Sequence, residues 1–156
     1  MKTLSTHVAA CALLLLFFSC SSGDDGDPLV GTTISISDIQ GNWNAIRAIF
    51  DIAGTGTSQS IDVVEEGGSV TLQIQSNGRF TLTITPQGES AEVSKGQMSF
   101  DEDLLVVEFD DSPGDSEYYG IQSSTSTLSI SGPAEYDLDG DGTDDDAYVE
   151  LDFVRA

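Results

Sequence analysis

Apolar and polar residues alternate with period two through most of the chain. Val70, Leu72 and Ile74 alternate with Thr71, Gln73 and Gln75. After Ser76-Asn77-Gly78-Arg79, Phe80, Leu82 and Ile84 alternate with Thr81, Thr83 and Thr85. Successive side chains of a strand point to opposite faces, so this pattern predicts a β-hairpin with one dry and one wet face, joined by an Asn-Gly turn. Similar runs predict strands at about 42–52, 92–100, 104–110, 117–122, 127–131 and 147–155, with another at 61–65, punctuated by Gly, Pro, Asp and Ser. Ser37–Gly41 suits one helical turn, and no longer segment has the spacing of an amphipathic helix. About eight antiparallel strands in sequence make an all-β domain, either an up-and-down barrel or a sandwich.

The pattern breaks at the N-terminus. Lys2 precedes an apolar run from Val8 to Phe18, too short for the ~20 residues of a membrane span and suited to a cleaved export signal. Leu16-Phe17-Phe18-Ser19-Cys20 resembles the lipobox of bacterial lipoproteins, with Phe17 in place of the usual Leu or Val. The resemblance implies cleavage after residue 19, diacylation of Cys20 (palmitate-type chains), and anchoring in the cell envelope. Two acyl chains hold a protein on a membrane where one does not. The Ser-Ser-Gly-Asp-Asp-Gly-Asp that follows is similar to the tethers of surface-exposed outer-membrane lipoproteins. The domain organisation expected is therefore 1–19 signal peptide, 20–36 acidic tether and 37–156 β-barrel domain.

Removal of the signal changes the available chemistry. His7 and Cys11 leave with it, so the mature chain has no histidine and no cysteine except Cys20. Thiol nucleophiles, Ser-His-Asp triads, disulfides and zinc sites with nitrogen or sulfur ligands are excluded. The charge is strongly negative, −22 for the whole sequence, and the mature basic residues are only Arg47, Arg79, Lys95 and Arg155. Such a surface repels nucleic acid and bare anionic lipid, and solubility is its simplest purpose.

The two ends of the domain carry a further resemblance. Gly41-Asn42-Trp43 at the start of the first long strand matches the Gly-x-Trp signature of lipocalins, and Arg155 stands where that family has a basic residue at the end of the last strand. The stretches 71–82, 104–109, 119–121 and 127–130 are also similar to the small lipocalin-like domains of bacterial lipoproteins. The resemblance implies a barrel, lipocalin-like, closed at one end by Gly41, Trp43 and Arg155, with the arginine lying across the indole ring.

Three carboxylate arrangements have chemical potential. Asp137-Leu-Asp139-Gly-Asp141-Gly142-Thr143 resembles the calcium loops of EF-hands and dockerin-like repeats, with Asp137, Asp139, Asp141, Thr143 and Asp145 as the implied Ca²⁺ ligands. The twelfth position is Tyr148 rather than the bidentate Glu of the EF-hand, and an acidic turn at the tip of the last hairpin is the alternative. Glu65-Glu66, Asp101-Glu102-Asp103 and Asp110-Asp111 fall at predicted turns, where solvated charge is the ordinary outcome. A carboxylate pair for glycoside hydrolysis is the remaining reading of them.

The functional expectation is an envelope-anchored, non-enzymatic lipoprotein. Leu72, Ile74, Phe80, Leu82, Leu105, Val107, Phe109, Leu151 and Phe153 would line an apolar cup for a small hydrophobic ligand, together with Val70, Ile84 and Val149 and with Trp43, Tyr118 and Tyr119 as further candidates. The alternative is a filled barrel acting as a structural module that docks onto another envelope protein. An internal cavity of a few hundred Å³ distinguishes the two.

Overall fold

A strand with one apolar face hides that face only against other strands, and a curled sheet that closes on itself does so without leaving an edge. The computed structural model describes residues 29–30, 34–52, 59–137, 143 and 145–156. Its elements are β1 (Leu29–Val30), α1 (Ile36–Ile39), β2 (Gly41–Ile52), β3 (Gln59–Asp62), β4 (Ser69–Ile74), β5 (Arg79–Thr85), β6 (Glu92–Asp101), β7 (Leu104–Phe109), β8 (Glu117–Ser123), β9 (Thr127–Tyr136) and β10 (Asp145–Arg155). From β4 to β10 each strand pairs antiparallel with the next. β10 then pairs with β2, and β2 with β4, closing an 8-strand up-and-down barrel. That closure rules out the sandwich.

Two short strands lie outside the ring. β10 occupies one edge of β2 along its length, while the other edge is shared: β4 pairs with Gly41–Asn44 and β3 with Ile49–Ile52. Asp62 organises the split. Its Oδ1 accepts from the backbone N–H of Ala48 (3.1 Å), Val64 (3.0 Å) and Glu65 (3.3 Å), which turns the chain away after residue 62. The strand expected at 61–65 therefore lies earlier, at 59–62, and a turn follows. β1 pairs through Leu29↔Ser123 and Val30↔Gln122 on the edge of β8 that β7 leaves after Tyr119. With Ile34 buried and α1 beginning at Ile36, the ordered domain starts before residue 37 and takes in part of the expected tether.

Two other boundaries differ from expectation. β9 was expected to end at Ser131 and runs on to Tyr136. Its pairing with β8 stops at Gly120↔Ser131, so beyond that point only β10 needs a ladder and Pro133 withholds no hydrogen bond from a second neighbour. Gly132 leaves room for the Tyr119 ring, which lies 2.5 Å from where a Cβ would stand. In β2 the register with β10 slips between Asp152↔Arg47 and Phe153↔Ala45, leaving Ile46 as a bulged residue, 60% exposed. The bulge moves the inward phase from Trp43 and Ala45 to Ala48 and Phe50.

Among the fully buried side chains are Trp43, Phe153, Ile39, Leu105 and Leu128. Each removes enough apolar surface from water to contribute about 1.5–3 kcal/mol to folding. No helix among the described residues is long and apolar enough to cross a membrane.

Candidate functional site

The two ends of the barrel are built differently. One end holds the start of β2, the end of β10 and α1. Ser35 begins α1, with its N–H and its Oγ both donating to Asp38 Oδ2 (2.8 and 2.5 Å), and these bonds hold the Asp38 carboxyl below the usual carboxylate range. The helical turn places the Ile39 carbonyl against the buried indole, and Trp43 Nε1 donates to it at 2.8 Å. Arg155 lies over the same ring, its guanidinium carbon 4.2 Å from the centroid. Nε donates to Thr125 O (2.9 Å) and the terminal nitrogens to Gln40 O (2.8 Å) and Asp38 O (3.2 Å), so one side chain ties three segments together. Gly41 has φ +135°, and a Cβ there would stand 2.6 Å from the arginine. Glycine is thus required both by the backbone conformation and by the cation beside it. Ile74 and Phe153, expected in the cup, are buried at the level of the floor and do not line the cavity.

Above this floor a pocket opens toward the other end of the barrel. A cavity of about 540 Å³ is lined by Leu72, Phe80, Leu82, Leu105 and Val107. Phe109, Leu151, Ile84 and Val149 continue the wall, whereas Val70 is buried without reaching it. Phe80 and Phe109 meet edge to face at 5.7 Å. Tyr119 lines the cavity, whereas its neighbour Tyr118 is 49% exposed on the outer surface. Residues that the sequence did not single out also contribute: Phe50, Met98, Ile130, Ala134 and Tyr136. Phe50 belongs to the wall because of the bulge before it. Met98 sits in a strand whose Ser94, Gly96 and Met98 give only a weak apolar signal.

The opposite end is the mouth, and its chemistry changes abruptly. Glu89 comes from the β5–β6 connection and Glu92 from the start of β6, Asp111 and Asp115 from the β7–β8 connection, Glu117 from the start of β8, Glu135 from the end of β9 and Asp137 just after it. No lysine or arginine is among the residues lining the cavity. Tyr119 donates its hydroxyl to the Glu117 carboxylate, and burial together with that carboxylate pushes the phenol far above its ordinary range, so it stays a donor. Tyr136 stacks on Phe50 (4.5 Å, 25°) at the mouth. Burial, followed by the charges of Glu89, Glu92, Glu66 and Asp137, raises the Tyr136 phenol too.

The remaining carboxylate groups lie apart from one another. Glu65 and Glu66 are exposed on the turn after β3, and Asp101–Asp103 on the β6–β7 turn. Asp110 receives two hydrogen bonds from Arg79 (2.8 and 2.6 Å), which hold its carboxyl below the usual range. Arg47 binds Glu150 (3.0 Å) and Asp152 (3.4 Å) on the outer wall. The residues named for calcium fall in the loop joining β9 to β10. Asp137 lies at the mouth and Asp145 starts β10, while Asp139 and Asp141, like Cys20, lie outside the described residues. Among the described residues no three His, Cys, Asp or Glu side chains are grouped to hold a metal. Comparisons of the chain with protein-family models, with curated proteins and with solved structures found no match.

Proposed function

We propose that this chain is an envelope-anchored lipoprotein, held by lipid on Cys20, whose lipocalin-like barrel carries a small hydrophobic molecule without chemically altering it. The observation that carries the reading is the cavity of about 540 Å³, apolar in its deeper wall and carboxylate-lined at its mouth. It falls within the about 300–1,000 Å³ of small-molecule sites, and its walls are aliphatic and aromatic with polar groups gathered at one end. A module acting only as a scaffold would gain stability from a filled interior, since empty apolar space forfeits packing contacts. An open pocket of this size therefore favours carriage over scaffolding.

The full chain should bind the neutral fluorophore N-phenyl-1-naphthylamine with enhanced emission. Leu82→Trp, which directs an indole into the cavity, should weaken that binding on the order of tenfold, as filling a ligand's space does, while the melting temperature is held or raised. Unchanged affinity in a folded Leu82→Trp protein would place the fluorophore elsewhere and remove the carrier reading. The anchor has its own test. Cys20→Ala should shift the protein from the membrane to the soluble fraction and abolish labelling by a fatty-acid analogue; membrane retention with undiminished label would overturn it.

A further inference from the structure

We propose that the ligand of this cavity is a cationic amphiphile, a hydrocarbon chain ending in an ammonium group, held with its tail in the barrel and its charge at the rim. This deepens the carrier reading and rests on it. The apolar wall sets only the size and greasiness of the occupant and cannot tell an alkyl ammonium from an alcohol or a fatty acid of equal length. That choice falls to the mouth, where every ionisable group lining the cavity other than tyrosine is a carboxylate and no cation is present to receive an anion. The Arg79 and Arg47 guanidinium groups are already engaged by Asp110, Glu150 and Asp152, Arg155 is held at the floor, and Lys95 is exposed near Asp110 and does not line the cavity.

The rim also carries an aromatic ring beside its carboxylates. Phe50 is buried and stacked against the half-buried Tyr136, so a cation leaving water meets the Tyr136 side chain together with Glu89, Glu92 and Asp137. Deeper in the wall, the Glu117 carboxylate is oriented by the Tyr119 hydroxyl. An anionic headgroup at the same place would meet like charges on several sides, and this repulsion supplies specificity that the tail cannot.

The test uses the full chain and displacement of N-phenyl-1-naphthylamine by three probes of one chain length below their micelle concentrations: dodecylammonium, dodecanol and dodecanoate. Dodecylammonium should displace the fluorophore at a concentration on the order of tenfold below dodecanol, the factor one half-solvated ion pair supplies, and dodecanoate should be weaker than both. The ammonium advantage should shrink with added salt. It should shrink about threefold or more in Glu89→Gln/Glu92→Gln at the mouth and persist in Asp101→Asn/Asp103→Asn, which removes the same charge at the far end. Equal displacement by all three probes, or dodecanoate in front, would overturn the cationic class and leave the carrier intact. Loss of the advantage in the far-end variant as well would make it a property of the overall negative charge and overturn the proposal. Absence of fluorophore binding in a folded wild-type protein would instead remove the carrier reading itself.

Discussion

Trp43→Ala should lower the stability of the domain by about 3–5 kcal/mol, read as a fall in the urea midpoint followed by circular dichroism. The indole is 1% exposed and is gripped from two sides. Its Nε1 hydrogen bond holds α1 through Ile39, and its ring is the seat of Arg155, which ties Asp38, Gln40 and Thr125 to the end of β10. Truncation to a methyl group removes the ring's apolar burial, leaves a cavity at the floor and frees the Ile39 carbonyl, effects that act in one direction. Small domains are stable by only about 5–15 kcal/mol, so the loss is a large part of the total. Arg155→Ala should cost less, about 0.5–2 kcal/mol, because the arginine is itself exposed to water. Equal costs for the two would move the keystone from the ring to the cation.

Gly96→Val should be nearly as damaging, about 3 kcal/mol, for the opposite reason. A Cβ at this position would stand 2.1 Å from the Glu108 carbonyl oxygen and 2.7 Å from Phe80 Cε1. A side chain can step aside, but the carbonyl belongs to β7 and is fixed in the sheet, so the strands must part. Phe80 would also be driven from its edge-to-face contact with Phe109. Gly120→Ala provides the contrast, since its Cβ meets the rotatable Ser131 hydroxyl at 3.2 Å and the Ser131 carbonyl oxygen at an ordinary 3.7 Å, and should cost less than about 1 kcal/mol. Equal midpoints for Gly96→Val and wild type would show that β6 and β7 separate freely at this point.

Much of the strand order was legible because alternation is a local signal. Val70–Ile74 and Phe80–Ile84, joined across Asn77-Gly78, state both their conformation and their shared face in the residues themselves. Alternation tells which way a side chain points but not its height along the barrel. Leu72 and Ile74 share a face, as do Leu151 and Phe153, yet the second of each pair lies a step nearer the floor and packs under the cavity rather than around it. The bulge at Ile46 was hidden, since one inserted residue leaves a strand reading as a strand while exchanging its faces. Asp62 ended β3 through backbone N–H groups that no side-chain pattern displays. The acidic mouth was the least legible part. Its carboxylates come from strand ends and the connections beside them, and a rim assembled from segments so far apart in sequence exists only once the barrel has closed.

The side of the barrel on which the chain enters has a consequence for how a ligand is exchanged. β1 and α1 bring the N-terminal segment to the floor end, so a lipid on Cys20 would moor the barrel floor-down. Eight residues, 21–28, would span at most about 28 Å even when fully extended, so such an anchor would keep the floor close to the bilayer. The mouth would then look outward into the aqueous phase. In that posture a carrier would not pluck a ligand sideways from its own membrane. It would fish from solution or from a facing donor, with the anionic rim acting as a funnel whose range is set by the ionic strength of the surrounding medium.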